Sequence, residues 1–211
     1  MDLSDLQNLH KGETVWVLGS GPSLNYIDRA FFADKITVAT NIIGNVKQFT
    51  PHYTFSHYHR VTREVLNSDT IHVTLLGDTE SHQPWEGMVP ENVVFAEQTS
   101  YQAPGSSWNP LTTHPPLKGS LVYGSSSLHG AMHLAAHLGA SFIVLVGADC
   151  GQIDGDDRVA GYRTGAKLWE LYNRHHKLLK QYLEQTYPVK IHSLNPFINL
   201  NLEGHTFKGV S

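Results

Sequence analysis

Thr14-Val15-Trp16-Val17-Leu18-Gly19-Ser20-Gly21-Pro22-Ser23-Leu24 is the stretch on which the reading of the whole chain turns. A short β-branched and apolar run ends in Gly-Ser-Gly-Pro-Ser, and a helical pattern over about residues 24–32 begins at Leu24. A buried strand that enters a glycine turn and then a helix opens a nucleotide-binding α/β unit. Gly19 and Gly21 let the backbone take positive φ and come close to a ligand. Pro22 suits a first helical turn, where its missing N–H costs nothing. Free amides and the positive dipole end at such a turn favour an anion, usually phosphate. Leu24 stands where the dinucleotide fingerprint has its third glycine, so the motif is the shorter form.

Outward from this turn, strands alternate with helices. Lys35–Thr40 reads as the second strand and ends at Asn41. Asn41 lies about 20 residues beyond the turn, where a Rossmann domain places the group that reads the ribose. An asparagine there lacks the carboxylate usual for a nicotinamide ribose, which argues against a dehydrogenase. His52–Ser56, Thr70–Leu76 and Asn92–Ala96 read as further strands, with a helix over His59–Asn67. A stretch rich in Pro, Gly, Ser and Thr at 97–124, carrying Tyr101 and Trp108, reads as a lid or acceptor-binding loop, with a disordered linker as the alternative. Ser125, Ser126 and Ser127 then offer N-caps for a helix whose apolar positions are Leu128, Ala131, Met132, Ala135 and Leu138. Ser141–Val146 is a continuous apolar run suited to a central parallel strand, and Gly147-Ala148-Asp149-Cys150 follows at its carboxyl end. A long helix over about 166–185 and a strand at Val189–His192 complete the pattern. The whole, 1–211, reads as a single Rossmann-like, doubly wound α/β domain with a mostly parallel sheet.

Composition narrows the function. The 211 residues are 40% hydrophobic and 16% charged, with a formal net charge of −4. No cluster of Lys and Arg tracks a nucleic-acid backbone, and no apolar run approaches membrane-spanning length, so neither a nucleic acid nor a membrane is an expected partner. Cys150 is the single cysteine, which excludes an intrachain disulfide and makes a cytoplasmic location the default expectation. Nothing in the pattern decides for or against a homo-oligomer.

The 14 histidines are the compositional oddity. His129, His133 and His137 recur every fourth residue, a spacing that could hold a metal. The apolar stripe, however, centres opposite His133 and His137 and directs them to solvent, so no metal ligand is assigned. His129 falls in the first helical turn, over a ligand. His175 sits at the centre of the late helix's stripe, pointing to the core or the cleft, and His175 or His176 is the candidate general base. His52, His57 and His59 read as surface histidines. Asp149 suits ribose contact, a metal, or a cap for the next turn. Asp154, Asp156, Asp157 and Arg158 read as a solvated loop, because the spacing of an EF-hand is not met.

These motifs, in this order, resemble one family. Strand-Gly-x-Gly-Pro-Ser-Leu (Val15 to Leu24), a second strand ending in Asn41, and Ser-Ser-helix-strand-Gly-x-Asp (Ser125 to Asp149) resemble the group of the bacterial lipo-oligosaccharide sialyltransferases. That group also holds the motility-accessory-factor proteins linked to flagellin glycosylation. The archaeal hydroxymethyl-dihydropterin pyrophosphokinases are similar to the latter. The resemblance covers about residues 13–45 and 120–150, and more loosely 178–196. It implies a Rossmann-like domain that binds CMP-sugar, or ATP in the pterin enzymes. It also implies nucleotide contacts at Gly19, Ser20, Gly21, Pro22, Ser23, Asn41, Ser125 and Ser126. Ser127 departs from the family's glycine, and the family's catalytic histidine lies upstream of the late helix instead of within it. The function expected is a glycosyltransferase-like transferase joining a nucleotide-activated sugar to a glycan or small-molecule acceptor, with Mg²⁺ as the one cofactor to test. A Mg-ATP-dependent pterin pyrophosphokinase and a non-catalytic nucleotide-binding protein are the alternatives.

Overall fold

A parallel sheet of eight strands carries the chain in the computed structural model, which describes residues 1–76, 85, 87–100, 120–123, 126–162 and 169–194. The strands are β1 (Thr14–Leu18), β2 (Ile36–Thr40), β3 (Tyr53–Ser56), β4 (Ile71–Leu76), β5 (Val93–Ser100), β6 (Ser120–Tyr123), β7 (Phe142–Val146) and β8 (Lys190–Ser193). Their spatial order is β6-β5-β4-β3-β2-β1-β7-β8, and every neighbouring pair is parallel. The two most apolar runs, β1 and β7, sit side by side as interior strands: Val17 lies beside Val38 on one side and Leu145 on the other. A central parallel strand is covered on both faces, which is why these runs do not alternate with polar residues.

From β1 to β6 the chain winds steadily one way. Helix α3 (Ser127–His137) then carries it back across the sheet to β7, on the other flank of β1. The reversal makes β1–β7 the topological switch point, and ligands of open α/β sheets bind outside the carboxyl ends of the strands at such a point. Right-handed crossovers wound in opposite directions place their connections on opposite faces. Accordingly α3 and α4 (Trp169–Thr186) share one core layer through Leu128, Met132, Leu179 and Leu183. Leu24, Phe32 and Ile43 of the early connections build the other.

Several sequence expectations are corrected. The helix expected over 24–32 is two 3-10 turns, Pro22–Tyr26 and Arg29–Phe32. The chain is extended at Ile27 between them, and the Asp28 carboxylate accepts from the Ala30 N–H at 2.7 Å to start the second. Asp is favoured as a cap and disfavoured inside a helix, so it divides the segment. The Lys47 ammonium closes the first turn by donating to the Leu24 and Ile27 carbonyls, both at 2.9 Å. Lys47 itself lies on a short helix, α1 (Ile43–Lys47), which no periodicity announced.

His133 does not face solvent. It is fully buried, and its Nε2 lies 2.7 Å from the Tyr187 hydroxyl; His137 Nε2 donates to the Leu3 carbonyl at 2.7 Å. Helix α3 is enclosed by the sheet, by α4 and by the N-terminal 3-10 turn Leu3–Leu6, so it has no broad polar face. A hydrophobic stripe marks one buried side, and the partners of the other side come from distant chain segments. His57 and His59 are likewise buried, the latter with Nε2 donating to the Leu75 carbonyl at 2.9 Å, whereas His52 is exposed. The expected loop 97–124 is also shorter at both ends, because β5 runs to Ser100 and β6 occupies Ser120–Tyr123. Tyr101, Trp108 and the lid assigned to them lie outside the described residues. Among the described residues no helix is long and apolar enough to cross a membrane.

Candidate functional site

At the switch point two turns interlock. The Gly19 N–H donates to the Val146 carbonyl and the Gly21 N–H to the Gly147 carbonyl, both at 2.7 Å. The Ser23 N–H donates to Asp149 Oδ2 at 2.6 Å, and the Ser23 hydroxyl accepts from the Gly147 N–H at 3.1 Å. No Cβ fits in this joint. One on Gly19 would lie 2.5 Å from the Gly147 carbonyl oxygen, and one on Gly21 would overlap the Asp149 carboxylate. Gly147 itself has φ +68 and meets the Gly19 carbonyl. The sequence predicts free amides at this turn, available to phosphate. Those of Gly19, Gly21 and Ser23 are instead spent on the loop after β7, and the five-residue 3-10 turn that follows carries no helix dipole of consequence.

Above the joint lies a cleft of about 1030 Å³. Its floor is Gly19–Gly21 and Gly147–Cys150. Tyr58, Arg60 and Glu64, on and before α2 (His59–Glu64), line the cleft. Arg158, Tyr162, Trp169 and Tyr172, from the segments after β7, line it too. The N-terminus of α3 enters it with Ser126–Leu128. Ser126 caps that helix: its hydroxyl accepts from the Leu128 N–H and its own N–H donates to His129 Nδ1, both at 3.2 Å. The volume is at the upper end of the range for small-molecule sites, roomy enough for a nucleotide-sized ligand with a second group beside it.

No protein-family profile matches the sequence, and no curated protein matches it. Among solved structures the chain is similar to the MAf glycosyltransferase from Magnetospirillum magneticum AMB-1, with a TM-score of 0.52 and 14% identity. The likeness is one of fold. It covers 90% of this chain and 33% of the other, so the chain spans about a third of that protein's length. The match falls on the motility-accessory-factor side of the sequence resemblance and not on the pterin pyrophosphokinase side.

Of the residues singled out from sequence, Gly19, Ser20, Gly21, Asn41, Ser126, Asp149 and His176 line the cleft. Pro22 and Ser23 are buried under the turn, and Ser125 lies outside the described residues. Asn41, at φ 50, is a junction: its amide donates to the Tyr162 hydroxyl while its Oδ1 accepts from the Ser56 and Ser127 hydroxyls, all at 3.2 Å. The late-helix histidines are brought to His129, with ring centroids 4.8 Å from His129 to His176 and 5.9 Å to His175. Only His176 reaches the cleft; His129 and His175 sit behind it. Burial, then the neighbouring imidazoles, holds His129 well below its ordinary value and His176 down to about 3. Burial, with Arg174 adding, brings His175 to about 4. All three are therefore neutral at pH 7 and weakly basic.

Asp149 is shifted the other way. It is 1% exposed, and desolvation pushes its carboxyl up to about 6 against the pull of the Ser23 hydrogen bond. Oδ1 is buried with no hydrogen-bond partner, as is Nε2 of His176, whose Nδ1 lies 3.5 Å from Cys150 Sγ. Burial, then the Asp149 charge, pushes the Cys150 thiol up to about 12. Among the described residues no group of three His, Cys, Asp or Glu is placed to hold a metal ion.

Sequence reasoning passed over Arg60, Arg158 and the aromatic walls. Arg158 and Asp157 were grouped with the solvated loop; Asp154 and Asp156 are indeed exposed, but Asp157 and Arg158 are half-buried and line the cleft. The signal was their place in the chain. The connection leaving the last central strand starts at the sheet edge where ligands bind, so its cations are the ones to inspect first.

Proposed function

We propose that the cleft binds a nucleotide-activated sugar and that the chain acts as a glycosyltransferase-like transferase on a glycan or small-molecule acceptor. The observation that carries this reading is the presence of both Arg60 and Arg158 in the lining of a switch-point cleft otherwise rich in aromatic rings. Guanidinium groups match phosphate oxygens in charge and geometry. Tyrosine and tryptophan rings offer stacking faces for a base or the apolar face of a sugar. The fold likeness to a MAf glycosyltransferase agrees with this reading. Since the Gly19, Gly21 and Ser23 amides are engaged with the end of β7 and the loop after it, the phosphates fall mainly to the arginines and the N-terminus of α3. A CMP-sugar is the favoured donor, on the sequence resemblance.

Calorimetric titration with CMP, UDP, GDP and ATP, each with and without Mg²⁺, tests the proposal. Metal-independent binding of CMP or another nucleotide at micromolar concentration supports it. Selective Mg²⁺-dependent binding of ATP would overturn the sugar-donor reading in favour of phosphotransfer. Binding of none removes the nucleotide altogether.

A further inference from the structure

A glycosyl transfer needs a group to take the proton of the attacking hydroxyl, and the structure separates the candidates for that role. His175 is behind the cleft, packed on His129. His176 lines the cleft but is wedged between Cys150 and His129, with Nδ1 against the thiol. Asp149 is placed differently. Its carboxyl is held on one side, where Oδ2 takes the Ser23 N–H, and is confined by Gly21, whose missing Cβ leaves just the space it occupies. Its second oxygen, Oδ1, is buried and unpartnered within the chain, in a residue that lines the cleft floor. A buried carboxylate oxygen without a donor is costly, and the structure tolerates it at the sheet edge where a ligand hydroxyl can supply the missing hydrogen bond.

We infer that Asp149 is the general base, accepting at Oδ1 the proton of the hydroxyl that attacks the donor sugar. The inference rests on the nucleotide-sugar reading of the cleft. In the step, the acceptor O–H bond breaks and its proton passes to Oδ1. The hydroxyl oxygen's electron pair forms the new bond to the anomeric carbon. The bond from that carbon to the phosphate oxygen breaks, and its electron pair leaves with the nucleotide, towards Arg60 and Arg158. With water as acceptor the same step is donor hydrolysis.

The chemistry of the surroundings agrees. A base works best when its pKa approaches the working pH, and burial has moved Asp149 towards neutrality while moving the histidines away from it. The titratable groups around it do not confuse the assignment. The glycine turn brings none, its neighbour Cys150 stays a thiol, and His176 of α4 stays neutral. Asp157 and Arg158 lie on the cleft wall contributed by the next loop.

Release of free nucleotide from CMP-N-acetylneuraminate, UDP-N-acetylglucosamine and a GDP-sugar, followed between pH 5 and 8, tests the inference alongside CMP, UDP and GDP binding. The expected result is an acid limb near pH 6 that persists in His176→Gln and vanishes in Asp149→Asn. Asp149→Asn should still bind the nucleotide, because an amide keeps the Ser23 contact, yet turn over at least about 100-fold more slowly. If that variant fails to fold, the limb in the unaltered protein and a carbon-13 titration of the Asp149 carboxyl decide, and a carboxyl that titrates below pH 5 overturns the inference. So does an Asp149→Asn rate close to that of the unaltered protein, or a limb that disappears with His176 instead. Nucleotide binding without turnover of any of these donors overturns the base and leaves the binding reading standing. Failure of every nucleotide to bind overturns both.

Discussion

Lowering the pH from 7 to 5 places protons on the histidines of the unfolded chain that the folded chain does not accept. His129, His133 and His176 are each buried, with His133 and His176 held at about 3 and His129 well below its ordinary 6.5. Their sign is set by linkage. A histidine neutral in the fold and titrating near 6.5 when unfolded contributes stability that is intact above pH 6.5 and is lost as pH falls below it. Asp149 works against them. Its carboxyl, raised to about 6 in the fold, takes up a proton on acidification before the unfolded chain does, which offsets one histidine between about pH 6 and 4. Three histidines less Asp149 leave two protons, about 2.7 kcal/mol of stability lost per pH unit in that window, and His175, also lowered to about 4, adds to the loss. Domain stabilities are about 5–15 kcal/mol, so a loss of this size over two pH units is a large share of a typical one. Urea denaturation followed by tryptophan fluorescence at pH 7.5, 6 and 5 measures this directly. The midpoint should fall steeply from pH 6 to 5, and His133→Gln, which keeps a polar group against the Tyr187 hydroxyl, should reduce the slope by about 1.4 kcal/mol per pH unit. A midpoint that is flat or rises from 7.5 to 5 would show that these imidazoles are accessible to protons, and the picture of an enclosed α3 would fail with it.

Gly130→Ala puts a methyl group into the Phe55 ring, since α3 crosses β3 with no space for a Cβ. The expected cost is about 1–3 kcal/mol of overpacking, read from the urea midpoint, and Phe55→Leu in the same chain should recover part of it. A neutral Gly130→Ala would mean that helix and sheet are farther apart. Arg60→Ala and Arg158→Ala should each weaken nucleotide binding about 10-fold or more, as expected for a lost charge-assisted hydrogen bond. Arg60→Ala, at an exposed side chain, should leave the melting temperature within a degree or two, so unchanged affinity there removes the wall from the phosphate site.

The doubly wound, mostly parallel sheet was legible because β1 and β7 announce themselves as unbroken apolar runs bounded by glycine; the spatial order of the strands and β6 were not. The cleft's location followed from the same feature, since the carboxyl ends of β1 and β7 carry the glycine turn and the Gly-Ala-Asp segment. The walls were not legible. Arg60 and Arg158 come from connections far apart in sequence, and no local pattern says that two half-irregular segments will line one cleft. The buried histidines misled for a related reason. A histidine at a polar position of a helical wheel can have its partner on another element, as Tyr187 and the Leu3 carbonyl are for His133 and His137.

The glycine turn shows how a correct signal can carry the wrong physics. Gly19 and Gly21 matter, but the approach they permit is that of the Gly147–Asp149 loop, not a ligand in the first instance. Gly21→Ala therefore tests two accounts at once. If the glycine served the ligand alone, the variant would fold normally and lose nucleotide affinity. With the carboxylate of Asp149 in the space the new methyl needs, the joint must open, the Ser23 N–H to Oδ2 bond must lengthen or break, and a buried carboxylate loses its donor. Such a loss costs about 1–3 kcal/mol. The variant should therefore unfold at lower urea, and Asp149→Gly in the same chain, which vacates the space, should return part of that loss. A Gly21→Ala variant as stable as the unaltered protein would restore the turn to the ligand.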